Sequence, residues 1–194
     1  MRSDIRETKT ALRQQIRAVL AAITSEQRAA DSARICARLR KQPVWDQARS
    51  VLLFAPMAAE PDLWPLLAEA LAAGKTAALP RYHPAEKKYV AGRVQNLQSD
   101  IVSGAFGIRE PGPHCPELPP DQFDLILAPG LAFDLHGQRL GRGRGFYDRL
   151  LAAIPGTKCG VAFDEQIVRE VPAGARDVRM NYLLTPTRWI TGLP

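Results

Sequence analysis

Apolar positions along this chain change period at intervals, and each change predicts an element. Leu12, Ile16, Val19, Leu20 and Ile23 recur at helical spacing, giving one apolar face to a helix from about residue 4 to 22. Thr24 with Gln27 three residues on resembles a capping box. Ser32, Ile35, Cys36 and Leu39 then carry a second helix to about Lys41, ended by Pro43. Val51 to Ala55 is a continuous apolar run bounded by polar residues, the pattern of a strand buried on both faces of a parallel sheet. Residues 61 to 73 return to helical spacing and stop at Gly74, which fits a C-cap, and Thr76 to Leu79 follows as a strand.

Residues 81 to 123 read as loop-rich, with a strand at Tyr89 to Val94 and a Pro-dense stretch from Pro111 to Pro120. Beyond them, Asp124 to Ala128 is a buried strand, 145 to 154 a helix, and Gly160 to Phe163 and Tyr182 to Thr185 are strands. This alternation predicts an α/β fold with a mainly parallel sheet. No internal repeat is visible. A chain of 194 residues fits one domain, 1–194, with one core, burying roughly 70% of its unfolded surface without staples.

Charge narrows the partners. Lys and Arg number 26 against 20 Asp and Glu, a net +6 that favours nucleic acid, nucleotides or acidic metabolites. Cys36, Cys115 and Cys159 are odd in number and far apart, so they read as reduced thiols rather than a zinc, iron–sulfur or dithiol site. The charged first residues lack an apolar region behind them and no later run approaches a bilayer span. The expectation is a cytoplasmic protein with no membrane association.

The chemistry concentrates in LAFDLHGQRLGRGRGFYDRL, Leu131 to Leu150, between a predicted strand and a helix. Gly141, Gly143 and Gly145 alternate with Arg142 and Arg144, flanked by Arg139 and Arg149. Alternating glycines let backbone N–H groups turn toward an anion, a helix start adds a positive dipole end, and the arginines add full charge, as in a phosphate cradle. No G-x-x-x-x-G-K-[ST] occurs, so the loop is not a Walker A motif, and it is not a dinucleotide fingerprint, because Phe146 stands where the third glycine belongs. A solvated turn or an RNA-binding tract has similar composition, although aromatic residues are only 7% of the chain. Asp148 is either a Mg²⁺ ligand beside a phosphate site or a first-turn acid complementing the helix dipole. Lys9 and Arg13 lie at the edge of the first helix's apolar stripe, as a clamp on a polyanion or as snorkelling stems. Glu60 falls on the rim where open α/β sheets bind ligands, or caps the next helix. His83, His114 and His136 show no metal or triad spacing, and no G-x-S-x-G elbow occurs.

The stretch PGLAFDLHGQRLGRGRGFYDRLL resembles the signature of the 5-formyltetrahydrofolate cyclo-ligases, also called methenyltetrahydrofolate synthetases. The resemblance runs in register through Lys9 and Arg13, Met57 to Glu60, Gly74-Lys75, Pro80 to Tyr82, Phe106 to Pro111, Ala162 to Gln166 and Asp177. It implies a three-layer α/β/α, Rossmann-like fold. It also implies ATP- and Mg²⁺-dependent closure of 5-formyltetrahydrofolate to 5,10-methenyltetrahydrofolate, by phosphorylation of the formyl oxygen and attack by N10. On this resemblance Lys9, Arg13 and the loop Arg139, Leu140, Gly141, Arg142, Gly143, Arg144, Gly145, Phe146 and Tyr147 correspond to the ATP site. Asp148 and Asp177 correspond to the metal carboxylates, and Ala55, Met57, Glu60, Phe106 and Arg142 to the folate site. Arg144 and Tyr147 are the implied catalytic residues. A monomer acting on a small molecule, with no nucleic acid, is expected. Three positions depart from the family pattern: Phe146 replaces a tyrosine, Phe106 a tryptophan of some relatives, and Asn181 an aspartate whose loss would weaken metal affinity. These departures motivate one alternative, a paralogue that binds nucleotide and another N-formyl or folate-like ligand. A basic RNA-binding module is the alternative from a different class.

Overall fold

A computed structural model describes residues 2–104, 107–174 and 177–193. Parallel strands β1 (Ser50–Leu52), β2 (Thr76–His83), β7 (Leu125–Pro129), β10 (Thr157–Val161) and β11 (Tyr182–Leu184) form the centre of an eight-stranded sheet. β3 (Lys88–Val94), β6 (Glu117–Leu118) and β12 (Trp189–Ile190) extend it antiparallel, in the order β12-β11-β10-β7-β1-β2-β3-β6. Two small hairpins stand apart, β4 (Ile101–Ser103) with β5 (Arg109–Pro111) and β8 (Ala132–Phe133) with β9 (Arg139–Leu140).

The apolar runs behave as a doubly covered sheet requires. Val51 and Leu53, Leu125 and Leu127, and Cys159 and Val161 pack on one face. There they meet Ile16 and Leu20 of α1 (Arg2–Ala22), Ile35 and Leu39 of α2 (Ser25–Leu39), Trp45 of α3 (Pro43–Gln47), and Leu66 and Leu67 of α4 (Trp64–Ala72). Leu52, Ala78, Ile126 and Leu183 point the other way, onto Leu150, Leu151 and Ile154 at α5 (Phe146–Ala153). The single core expected from length is therefore two apolar layers divided by the sheet. Each fully buried leucine in them stabilises the fold by about 1.5–3 kcal/mol.

Local signals fare differently. Gly74 closes α4 in a left-handed conformation, φ 72°, with the Gly74 amide on the Leu71 carbonyl at 3.0 Å and the Lys75 amide on that of Ala70 at 2.9 Å. α4 starts at Trp64 rather than Pro61, because the Asp62 carboxylate accepts the Trp64 amide in a turn before it. Thr24 accepts the Gln27 amide at 3.1 Å, but the Gln27 side chain donates to Asp31, so half of the capping box forms. Pro43 ends the second helix by opening α3, Pro being suited to a first helical position. β2 runs on to His83 because β3 folds back along its whole length.

Chain order places the site. From β1 the chain moves outward to β2, and from β7 it moves the other way to β10 and β11, so the carboxyl ends of β1 and β7 flank a topological switch point. Gln166, fully buried, fastens this end. Its side-chain oxygen accepts the Phe163 amide at 2.7 Å, and its Nε2 donates to the Gly130 and Leu131 carbonyls at 2.7 and 3.2 Å. Among the described residues no helix is long and apolar enough to cross a membrane.

Candidate active site

A cavity of about 350 Å³ opens at that switch point. Phe54, Ala55, Met57 and Glu60 line it after β1, Pro129 and Gly130 at the end of β7, and Gly141 to Asp148 from the glycine-rich loop and the first turn of α5, with Gly143 outside the lining. Gly143 and Gly145 have φ of 109° and 66°, which other residues rarely adopt, and Gly145 starts α5 without a side-chain cap. The positive end of α5 is thus directed at a loop of arginines.

Two carboxylates order the loop. Glu60 is 8% exposed; its Oε2 accepts the Met57 amide at 3.0 Å, and its Oε1 accepts Nη2 and Nε of Arg142 at 2.8 and 3.3 Å. Arg139 is 3% exposed and donates to the Pro129 carbonyl at 3.0 Å and to Asp148. In this structure it binds the loop to the end of β7, a contact that the sequence did not reveal. Leu140 is core, so only its backbone is available to a ligand. Asp134 is also buried. It accepts the amides of His136, Gln138 and Val171 at 2.8–3.0 Å, which makes the FD of the signature a brace for the turn ahead of the loop.

Polar atoms without partners face this region. The Tyr147 hydroxyl and Arg139 Nε are buried and unbonded. Burial, followed by the Glu60 charge, pushes the Tyr147 phenol well above its ordinary pKa, so it is a hydrogen-bond donor across the working pH range. Arg144 and Arg142 are exposed at the cavity edge, and Phe146 packs on Tyr82 and Tyr89 with ring centroids 5.5 and 5.9 Å apart.

The first-helix cations turn inward rather than snorkelling. Lys9 Nζ pairs with Asp177 Oδ2 at 2.5 Å, and Asp177 also accepts the Gly174 amide at 2.7 Å. Arg13 Nε donates to the Gly141 carbonyl at 3.0 Å and lies along Gly143. Burial and the neighbouring Arg17 lower the Arg13 pKa, while Asp177 and Asp148 oppose them, so both carboxylates lie in the field of this guanidinium. Lys9, Arg13, Gly143 and Asp177 stand beside the cavity without lining it. Phe106 lies outside the described residues. Asn181 is not at the site: it exchanges two 2.8 Å bonds with the Lys158 backbone near the amino end of β10, so the expected effect on a metal is corrected. Sequence reasoning missed Arg17, Tyr89 and Ile108, which reach the cavity only through tertiary folding. Helical spacing from Arg13 to Arg17 was the one available signal.

Comparison with known proteins bears on the family and the fold. A sequence model of the 5-formyltetrahydrofolate cyclo-ligase family matches residues 5–186. The chain is 38% identical over 156 residues to the 5-formyltetrahydrofolate cyclo-ligase of Mycolicibacterium smegmatis, covering 75% of this chain and 77% of that one. It is 33% identical to that of Escherichia coli K12, covering 86% and 94%. The solved structure of Aquifex aeolicus 5,10-methenyltetrahydrofolate synthetase superposes with a TM-score of 0.85 at 33% identity, over 94% of this chain and 92% of that one. With the signature loop, the α/β/α layers and these relatives in agreement, the chain belongs to the 5-formyltetrahydrofolate cyclo-ligase family of enzymes.

Proposed function

We propose that this chain converts 5-formyltetrahydrofolate to 5,10-methenyltetrahydrofolate with consumption of ATP and release of ADP and phosphate. The observation that carries the proposal is the cavity that brings Glu60 of the β1 loop against the Gly/Arg loop before α5. A formamide carbonyl is a weak electrophile, and its oxygen leaves poorly. Transfer of the γ-phosphoryl group to that oxygen converts it to a phosphate leaving group. N10 then bonds to the formyl carbon, the C–O bond breaks, phosphate departs, and the N10 proton passes to solvent. Such a reaction needs alignment and charge neutralisation more than a covalent catalyst.

The residues suit those needs. Glu60 accepts the N–H edge of the pterin, and Ala55 and Met57 supply apolar contact. Arg142, which shares Glu60 Oε1, is released toward a substrate carboxylate when the pterin takes its place. Lys9, Arg13 and the backbone and arginines of residues 139–147 hold the triphosphate of ATP. Arg144 opposes charge on the transferring phosphoryl group. The Tyr147 hydroxyl, buried and without a partner, donates to an oxygen of the reacting groups. Asp148 and Asp177 present the hard oxygen donors that Mg²⁺ prefers and would hold it, where it neutralises phosphate charge. Lys9, and the Nη2 group of Arg139 whose Nη1 stays on the Pro129 carbonyl, would then turn to phosphate.

The test is the near-ultraviolet absorbance of the methenyl product when purified protein meets 5-formyltetrahydrofolate, with ATP or Mg²⁺ omitted in controls. A signal that needs both is expected; ATP binding without turnover would overturn the assignment of substrate. The hydroxyl missing at Phe146 favours a second reading, a family member acting on another N-formyl or folate-like ligand. Turnover gained only by Phe146→Tyr would support the original site chemistry in a chain that has moved away from it. Silence in both proteins would favour the other ligand.

A further inference from the structure

Away from the cavity, Asp100, His114 and Cys115 converge at the base of the β4–β5 hairpin, their ligand atoms all within 4.8 Å of one another. Asp100 directly precedes β4, and Gly112 to Cys115 directly follow β5, so the cluster joins the two ends of this hairpin. His114 Nε2 is 3.5 Å from Asp100 Oδ1 and 3.6 Å from Cys115 Sγ. Two ligands of a tetrahedral zinc ion, at bond lengths of about 2.0–2.3 Å, lie about 3.3–3.8 Å apart. The two separations from His114 Nε2 fall in the range of tetrahedron edges, and the 3.5 Å histidine–carboxylate distance is too long for a good hydrogen bond.

Each group is held in place by other bonds. Asp100 Oδ2 accepts the Gln95 and Asn96 amides at 2.8 Å, leaving Oδ1 facing the cluster with the Ser99 hydroxyl at 2.9 Å. The His114 ring lies on Gly112, where a Cβ would come within 2.7 Å of its Cε1. The turn itself is fixed by the Gly112 amide on the Asp100 carbonyl at 2.7 Å, the Cys115 amide on that of Gly112 at 3.0 Å, and Arg81 on the Gly112 and Cys115 carbonyls at 2.8 Å. Cys115 is buried while His114 is exposed, so the thiol is sheltered and an ion has a way in.

A catalytic Cys–His–acid relay would use both ring nitrogens, one toward the thiol and the other toward the acid. Here a single nitrogen, Nε2, faces both. Convergence of sulfur, nitrogen and oxygen on one point is a metal-ligand arrangement.

We propose that Asp100, His114 and Cys115 form a site for a borderline-soft divalent cation, Zn²⁺ by ligand type, with water completing the tetrahedron. The thiol loses its proton to solvent on binding and the imidazole binds neutral. The bound ion closes the open end of a hairpin whose far side contributes Ile108 to the cavity, so it braces that wall without taking part in the reaction.

Cobalt(II) reports the site directly, because a cobalt–thiolate bond gives a near-ultraviolet charge-transfer band and tetrahedral cobalt gives intense visible bands. Chelator-treated protein is titrated with cobalt(II), then with zinc, and zinc affinity is measured against a chromophoric chelator. One equivalent with a thiolate band, displaced by zinc, is expected for the wild type. Cys115→Ser should lose the band, and His114→Ala, at an exposed position, should weaken zinc binding at least about tenfold while folding normally in the absence of metal. Zinc should also slow amide exchange over residues 95–116 in the wild type and not in His114→Ala. Equal zinc affinity in the wild type and His114→Ala, or cobalt uptake with no thiolate band, would overturn the proposal; the latter would place the metal on carboxylates elsewhere.

Discussion

Glu60→Gln separates what Glu60 does for the fold from what it does for substrate. The glutamine oxygen can still accept the Met57 amide, 3.0 Å away in the native structure. The other end becomes an NH2 group facing the Arg142 guanidinium, donor against donor, and both bonds from Arg142 are lost, of which the 2.8 Å charge-assisted one is the stronger. Such a bond is worth about 1.5–3 kcal/mol when enclosed. Arg142 is 41% exposed, however, and water compensates it, so the expected loss of stability is about 1 kcal/mol. For a chain of this size that lowers Tm by about 2–4 °C. On the substrate side, a neutral amide replaces a carboxylate acceptor for the pterin N–H edge, and the same 1.5–3 kcal/mol raises KM about ten- to a hundredfold. Because the lost contact exists before and during reaction, kcat should change little. The assay is initial-rate formation of methenyl product against 5-formyltetrahydrofolate at saturating Mg²⁺-ATP, beside thermal unfolding. An unchanged KM with a fall of several degrees in Tm would refute the reasoning and leave Glu60 as an anchor for Arg142 alone.

Arg144→Ala should lower kcat by about 10²–10³ with Tm nearly unchanged, since the side chain is exposed and acts on developing charge; parallel loss of stability and rate would contradict that role. Gly160→Ala would bring a Cβ within 2.5 Å of Phe133 Cε1 and 2.7 Å of Leu183 Cδ2, destabilising by about 1–3 kcal/mol. An unshifted urea midpoint would mean the core yields there. Asp124 accepts the Arg49 and Ser50 amides and the Ser50 hydroxyl; burial alone would raise its pKa, but these donors outweigh it and hold the carboxyl below its ordinary value. Its stabilisation is therefore present above the usual carboxylate range and is lost as pH falls below about 4. Asp124→Asn should be less stable than the wild type at neutral pH, with the gap closing in acid; a gap independent of pH would place the effect in packing rather than charge.

The sheet was legible because its strands are continuous apolar runs, whose only stable setting is between two layers of helix. Gly74 was legible for a similar reason, since a helix that stops at glycine has a defined set of closing bonds. The β4–β5 and β8–β9 hairpins were not, because strands of two or three residues carry too little pattern to show periodicity. In the site, glycines and arginines at fixed spacing marked the loop, and position after a strand marked Glu60. Tyr89 and Ile108 carried no signal, since they approach the cavity only after β3 folds back on β2 and β5 on β4.

Within the signature itself, burial divides residues that look chemically equivalent. Arg139 and Arg142 are three apart in a row of arginines, yet one is 3% exposed and holds a strand-end carbonyl, and the other is exposed and shares a carboxylate with the β1 loop. Asp134 and Asp148 divide the same way, the first committed to three amides and the second to a single guanidinium. The committed pair fixes the loop to the sheet before any ligand arrives. The less committed pair holds charges whose present partners are themselves groups suited to substrate or phosphate. On the proposed function such a loop would exchange partners on binding, so little backbone would have to reorganise when the reacting groups enter.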